Sequence, residues 1–542
     1  MNRDEGADGE MTTPPGIDAA TFADGLAAMR NAVGEEWVFD QPADLHTYRD
    51  FYSVLWDEPG EKVASAAVAP ASLEEVQAVV RVANERAIPI YPISTGRNLG
   101  YGGSAPVLSG SVVVDLKRMD RIIEVNEDNC SALVEPGVSF FDMYRHLRES
   151  GSKLMMSVPD PGWGSLVGNA LDSGGGYAAA GYRGHFEAVC GIEAVMADGE
   201  VLRTGMGALP GSETWQQYRM GIGPCLDGMF RQSTLGVVTK MGFWMFPTPE
   251  AWLSASVSVM RYEDLDELVR IANELEYGNL FNGMPGFSSP VLSRENPIAM
   301  AMIPEPEVMN RMVAESGVPA WSFAPNFYGP ERVIREQWAY VKSRFEHIPG
   351  VRFAETDYVD LPLSPEEMER VHKPRFGIPS LEIFSVGSRG YGNFNPSDGH
   401  IWFSAVIPRS GQGIIEANRV MRSECERLGL DLFMFAPAVT CWTRSFVLFA
   451  AVPVYKDERN AHLRDAVREI IRTCADHGWG EYRCPPAFMD DVMDVYSFGD
   501  HKLRRVNEQI KDALDPNGII SAGRYGVWPE RYRHMRRTGG AA

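Results

Sequence analysis

The sequence predicts an α+β protein of two domains, the second inserted into the first. Three observations predict this. At 542 residues the chain is longer than one ordinary hydrophobic core serves. Up to about residue 248, short apolar runs alternate with capped helical stretches, the texture of mixed strands and helices. Beyond Phe246-Pro-Thr-Pro249 long helical patterns take over, and near the end a turn leads back toward the first domain.

The elements follow in order. Residues 1–17 are polar and rich in Gly, Pro and acids, and read as a disordered tail; the first domain then occupies 18–248 and 480–542, with 249–479 as the insertion. Ser72-Leu-Glu-Glu75 reads as a capping box opening a helix that carries Val76, Val79, Val80 and Val82 and ends near Ala87. Strands are expected at Ile88–Tyr91, Val112–Val114, Ile122–Val125 and Ala132–Val134, then a helix at Ser139–Glu149 with Phe140, Met143, Tyr144 and Leu147 on one side. Two strand-like runs in 192–203 flank Asp198-Gly199, a hairpin signal. In the insertion, helices are expected at 262–276, 331–346, 411–428 and 459–477, with strands at Ile401–Ile407 and Phe446–Val452. Asp515-Pro-Asn-Gly-Ile-Ile520 is a turn feeding a last strand.

Composition narrows the function. With 44% hydrophobic residues the chain is a packed protein. Lys+Arg 51 against Asp+Glu 73 leaves a formal net charge of −22, which repels nucleic acid phosphates and anionic lipid, so neither is an expected partner and a small molecule is. The seven cysteines include no C-x-x-C pair and form no disulfide framework, and the histidines lack metal-ligand spacing, so no metal is expected. The acidic N-terminus lacks a signal peptide's apolar core, and no apolar run approaches the ~20 residues that span a bilayer. A reducing cytoplasm is the expected location.

The densest chemical signal is Pro92-Ile-Ser-Thr-Gly-Arg-Asn-Leu-Gly-Tyr-Gly-Gly103. Four glycines, Gly96, Gly100, Gly102 and Gly103, fall within eight residues after an expected strand end. Such a loop can present consecutive N–H groups to a phosphate, and it can equally be a plain tight turn. It is neither a P-loop, since no Gly-Lys-Ser/Thr follows, nor a dinucleotide fingerprint, since position 105 is Ala.

Arg97-Asn-Leu-Gly-Tyr-Gly-Gly103 resembles the pyrophosphate loop of the vanillyl-alcohol oxidase/p-cresol methylhydroxylase flavoenzymes. Val158-Pro-Asp-Pro161, Gly168-Asn-Ala170, Leu202-Arg-Thr-Gly-Met-Gly207, Gly478-Trp-Gly-Glu-Tyr-Arg483 and Pro516-Asn-Gly-Ile-Ile520 match the family in the same order. The resemblance spans nearly the whole chain after the first 40 or so residues, and it is strongest to the 4-alkylphenol oxidase branch. It implies an FAD-binding domain built from both ends of the chain and a cap domain over the flavin. Gly96, Arg97, Asn98, Gly100, Gly102, Gly103, Pro159, Gly168 and Asn169 are implied to bind FAD. The family position of Tyr101, Tyr482 and Arg483 implies that they hold the phenolic oxygen. A phenol has a pKa of about 10, so two hydroxyl donors and a guanidinium are needed to stabilise its anion at neutral pH. The benzylic carbon can then release hydride to the flavin N5, leaving a p-quinone methide.

Asp160 matches the family aspartate that assists this transfer and delivers water or a proton to the quinone methide. His400, in Asp398-Gly-His-Ile-Trp-Phe-Ser404, matches the histidine that carries FAD covalently in the oxidase branch, which implies O₂ as acceptor and H₂O₂ as product. The runner-up sends electrons to a cytochrome or copper protein, as in p-cresol methylhydroxylase or pinoresinol hydroxylase. A third reading is a flavoprotein without turnover, against which the complete Tyr/Tyr/Arg set argues. The aromatics Trp402, Phe435 and Trp442 are candidate pocket residues or core. The chain departs from the family pattern in Gly174-Gly-Gly-Tyr-Ala-Ala-Ala-Gly-Tyr-Arg-Gly-His185, where the usual Thr-Pro-Tyr-Gly order is missing. A homodimer or dimer of dimers is implied by the resemblance.

Overall fold

The computed structural model describes residues 13–178, 184–294, 300–385, 399–430, 434–442 and 444–537. Its first layer is a four-stranded sheet in the order Val38–Phe39, Ala66–Val68, Val112–Asp115, Ile90–Ile93, the last three mutually parallel. Parallel neighbours need a crossover, and the helix Leu73–Glu85 supplies it. Ser72 Oγ accepts from the Glu75 N–H at 3.2 Å, but the Glu75 carboxylate reaches back to the Ala71 N–H, one residue beyond the expected capping box. The helix stops two residues before Ala87, which takes a left-handed φ of 50°, and the Ile88 N–H closes the end on the Ala83 carbonyl. That closure moves the strand start from Ile88 to Ile90. Val76, Val79, Val80 and Ala83 are buried against the sheet, while Val82 is half-buried.

The second layer is a five-stranded antiparallel sheet, ordered Ile122–Asn126, Ser131–Val134, Gly236–Trp244, Val189–Met196, Val201–Arg203. The hairpin at Asp198-Gly199 pairs Val195 with Val201, Gly199 taking φ 81° at its tip. Phe140–Glu149 covers this sheet. Its Ser139–Asp142 capping box is complete, and Phe140, Met143 and Leu147 are buried.

Phe246–Pro247 pairs with Leu154–Met155, after which the chain enters a four-stranded antiparallel sheet ordered Asn282–Ser288, Trp321–Gly329, Ala251–Val259, Arg352–Asp360. A three-stranded sheet follows, with Ser445–Pro453 between His400–Ile407 and Met434–Trp442. Helices Leu265–Tyr277, Glu331–Phe345, Gly411–Leu428 and Arg459–Asp476 occupy the four expected places; residues 262–264 form a 3₁₀ turn instead of opening the first of them. Phe281, Phe287, Phe323, Phe327, Phe345 and Phe446 form the buried aromatic centre of this region. Among the described residues no helix is long and apolar enough to cross a membrane.

Helices Met489–Val495 and Phe498–Leu514 bring the chain back. The expected final strand is a single parallel bridge, Ile520 to Ile90, because Ser521 turns to φ 47° immediately after it. The expected tail is a turn at 13–17, whose Pro15 carbonyl accepts from the Tyr532 hydroxyl; residues 1–12 lie outside the described residues.

Lys511 locks the returning segment. Fully buried, its ammonium donates to the Thr234 and Ile520 carbonyls, each at 2.6 Å, and to Asp515. Asp515 in turn accepts from the Ile519 and Ile520 N–H groups. Lys511→Ala leaves that carboxylate buried without its cation, and such a loss costs about 3–5 kcal/mol. A thermal melt followed by circular dichroism should show a clearly lowered Tm; an unchanged melt would mean the lock is dispensable.

Candidate active site

The strand Ile90–Ile93 feeds the glycine loop into a cavity of about 280 Å³ lined by residues 91–99 and 101–103, by Gly164, Gly168, Asn169 and Asp172, and by His400, Trp402 and Arg483. Two glycines explain the loop's course. Gly100 has φ 80°, and a Cβ there would lie 2.5 Å from the Trp402 ring; Gly102 has φ 122°, and a Cβ would lie 2.5 Å from Pro486. The loop is thus pressed between the strand His400–Ile407, which carries Trp402, and the segment at Pro486. Gly96, Gly164, Gly168 and Gly236 leave bare backbone along the same wall. A glycine-lined wall that also carries His400 and Asp160 suits a flavin nucleotide, so the residues present fit FAD.

Sequence-expected cofactor residues divide here. Arg97 lies over the Trp163 ring at 4.9 Å. Asn169 meets His185 Nδ1 through its Oδ1 at 2.6 Å, so its side chain is engaged within the protein. Asn98 uses its whole amide internally, donating to Asp172 at 2.6 Å and accepting from Arg483. Pro159 is not among the cavity residues.

Tyr101, Tyr482 and Arg483 come together from opposite ends of the chain. The Tyr101 hydroxyl lies 2.7 Å from Ser404 Oγ, and the Arg483 guanidinium sits 3.8 Å from the centre of the Tyr101 ring. Tyr482 interacts with both Arg483 and Tyr101. Burial raises the Tyr101 hydroxyl well above its usual pKa and raises Tyr482 as well, with Arg483 opposing; both remain donors at neutral pH. Arg483 keeps its charge despite burial because Asp172 faces it, Nε to Oδ2 at 2.8 Å.

Asp172 organises this end of the cavity. It also accepts from Arg524 at 2.6 Å and Tyr525 at 2.7 Å. Burial alone would raise its pKa, but Arg483 and Arg524 hold it below the ordinary carboxylate range. Two guanidiniums against one carboxylate, +2 − 1, leave one positive charge. Glu481, beside Tyr482, does not cancel it: burial pushes its pKa to about 8, so it is largely protonated at neutral pH, its Oε2 accepting from the Ser404 N–H. A dry cluster with one net positive charge and three donors can accept one small oxyanion.

Asp160 lines the cavity with its side chain 7% exposed, 2.9 Å from His372 Nε2. His400 opens the strand His400–Ile407, between the rings of Tyr52 (5.1 Å) and Trp402 (4.8 Å). Burial lowers its pKa to about 4, so the imidazole is neutral at neutral pH. Trp402 is on the cavity wall and also packs on Phe449. Phe435 and Trp442 belong to the Met434–Trp442 strand, and their side chains lie outside the described residues, as does 179–183 of the departing Gly174–His185 segment.

Sequence reading missed Asp172, Arg524, Tyr525, Ser404, Glu481 and His372. Glu481 and Ser404 stand inside motifs singled out for other residues, and Asp172, Arg524, Tyr525 and His372 stand in none. Asp172 lies four residues after Gly168 at a helix end, and only the meeting of four distant segments reveals it.

A family model described as an FAD binding domain matches residues 64–205. The 4-cresol dehydrogenase (hydroxylating) flavoprotein subunit of Pseudomonas putida is 31% identical, covering 95% of this chain and 97% of its own. The 1′-carboxy-chondrochloren decarboxylase of Chondromyces crocatus is 44% identical over 86% of this chain and 91% of its own. Among solved structures, 4-ethylphenol oxidase from Gulosibacter chungangensis, in its isoeugenol complex, superposes with a TM-score of 0.81 at 34% identity, covering 96% of this chain and 100% of that one. Substrate-bound p-cresol methylhydroxylase gives 0.81 at 31% identity, covering 95% and 99%.

The neutral Glu481 has a measurable consequence. In the fold it keeps its proton up to about pH 8, whereas the unfolded side chain loses it around 4.5, so the stability attached to that extra proton is lost as pH rises between these values. Glu481→Gln stays neutral throughout. Its Tm relative to the parent protein should therefore rise from about pH 5 to about pH 9; a pH-independent difference would show that Glu481 ionises normally.

Proposed function

The chain belongs to the vanillyl-alcohol oxidase/p-cresol methylhydroxylase family of FAD-dependent flavoproteins, and from that premise we propose that it oxidises para-substituted phenols at the benzylic carbon. The observation that carries this reading is the buried cluster of Tyr101, Tyr482 and Arg483 with its single net positive charge, which matches a phenolate. Arg483, oriented by Asp172 and Asn98, and the two tyrosine hydroxyls take the phenolic oxygen and favour loss of its proton. Ionising the ring makes it electron-rich and weakens the hold on hydride at the para benzylic carbon. FAD, when bound, supplies the acceptor for that hydride and its two electrons. The substrate is left as a p-quinone methide, whose benzylic carbon takes up water; Asp160, on the cavity wall, accepts the proton that this water gives up. His400 carries the flavin covalently and residues 249–479 cap it. O₂ is the electron acceptor, giving H₂O₂; the alternative is a cytochrome or copper protein as acceptor, and the Pseudomonas relative is named a dehydrogenase.

A second reading follows from the Chondromyces relative, whose name records decarboxylation. If the carbon next to the benzylic one bears a carboxylate, the quinone methide can lose CO₂. The C–C bond pair then forms the alkene and restores the aromatic ring.

An anaerobic titration tests the first reading: 4-propylguaiacol, eugenol or vanillyl alcohol should bleach the flavin. Bleaching only by a sugar or hydroxy acid removes it. Tyr482→Phe should lower kcat/KM about a hundredfold, the effect of losing one donor to a developing anion. Oxygen uptake against dye-dependent turnover separates the two acceptors, and CO₂ release from 3-(4-hydroxyphenyl)propanoate tests the second reading.

The covalent link has its own test. Acid-precipitated, washed protein should be yellow and fluorescent, and His400→Ala should release its flavin into the supernatant. A colourless pellet from the unaltered protein would rule out the tether.

A further inference from the structure

Asp160 is held by a histidine from a distant segment. His372 Nε2 lies 2.9 Å from Asp160 Oδ2, and the His372 side chain is 37% exposed where that of Asp160 is 7%. The imidazole therefore joins the cavity wall to solvent. Its ring stands edge-on to Tyr177 at 4.7 Å, and the Tyr177 hydroxyl hydrogen-bonds the same carboxylate.

The pairing is built into the backbone. The Gly162 N–H donates to the Ser380 carbonyl at 2.8 Å, and a Cβ on Gly162 would come within 2.4 Å of Pro379. Gly377 is equally tight against Met155, and the Tyr328 hydroxyl holds the Arg375 carbonyl at 3.0 Å. Two segments about 210 residues apart are thus clamped on both sides of the contact. The other charged or titratable groups facing it are Tyr177, with Arg375 beyond it, and the Lys373–Glu382 ion pair next along the chain.

We propose that His372 is a positioning residue that fixes the Asp160 carboxylate toward the benzylic carbon and passes protons between that carboxylate and solvent. This rests on the phenol-oxidation reading. Water adds its oxygen to the benzylic carbon of the quinone methide; the ring regains aromaticity as the phenolate, and the proton released by the water goes to Asp160, on to His372 and out. No electrons move in this step, since two have already left with the hydride. Imidazole suits the task because it both accepts and donates a proton near neutral pH. With the route blocked and hydration slowed, the quinone methide instead isomerises to the alkene, the proton leaving its side chain ending on the phenolic oxygen, so that no proton has to leave the site.

His372→Gln keeps a donor facing Asp160 but cannot relay. Its kcat should fall about tenfold with KM moved far less, products of a 4-alkylphenol should shift from alcohol toward alkene, and the pH dependence of that ratio should flatten. In His372→Ala, added imidazole should restore part of the rate. Independently of turnover, ¹⁵N-histidine NMR of the resting holoenzyme should show one imidazole, absent in His372→Gln, whose resonances move in Asp160→Asn. An active parent enzyme whose H372Q variant retains its rate, product ratio and pH profile overturns this inference alone, as does a histidine spectrum indifferent to D160N. A parent enzyme inert toward every phenol overturns the phenol reading and this one together.

Discussion

Around Asp172 four segments of chain are bound by one carboxylate. It accepts from Asn98 of the glycine loop, from Arg483 of the segment after the helix Arg459–Asp476, and from Arg524 and Tyr525 near the end of the chain. Removing a carboxylate from water is costly unless cations and donors replace the lost hydration. Here no single partner suffices, so the loop and both C-terminal pieces must arrive for the burial to be tolerable. The same contacts aim the Arg483 guanidinium at the Tyr101 ring and set its plane. Support for the fold and orientation of the Arg483 guanidinium are therefore one interaction.

The cavity differs in character along its wall. At the oxyanion cluster burial suppresses stray negative charge: both tyrosines and Glu481 hold their protons, and only Asp172 is ionised against two arginines. Asp160 is instead linked through His372 to the surface. In the proposed reaction the phenolic oxygen needs a dry, strong field, while the benzylic carbon needs water and somewhere to send a proton. The two environments meet those opposite demands without sharing a side chain.

Placement of the glycine loop depends on parts of the chain that the loop does not contain. The close approach of Gly100 to Trp402 and of Gly102 to Pro486 leaves no room for a Cβ at either position. The Trp402 N–H meets the Gly100 carbonyl at 3.3 Å. The loop's shape is thereby coupled to the strand that presents His400.

Much of this was legible in the sequence, for local reasons. The helices at 73–85, 140–149, 331–345 and 411–428 follow from apolar periodicity and capping residues, and the hairpin at Asp198-Gly199 from turn chemistry, because these preferences act over a few residues. Tyr101, Asp160, His400, Tyr482 and Arg483 could be singled out because motif order resembles that of a known family. What sequence could not reveal were partnerships made across hundreds of residues: Asp172 with Arg483 and Arg524, Glu481 kept neutral beside Ser404, His372 on Asp160. Nor could it show that Asn98 would turn its amide to Asp172 and Arg483. Side-chain charge and orientation depend on burial and on neighbours brought by folding, and neither is a property of the residues adjacent in the chain.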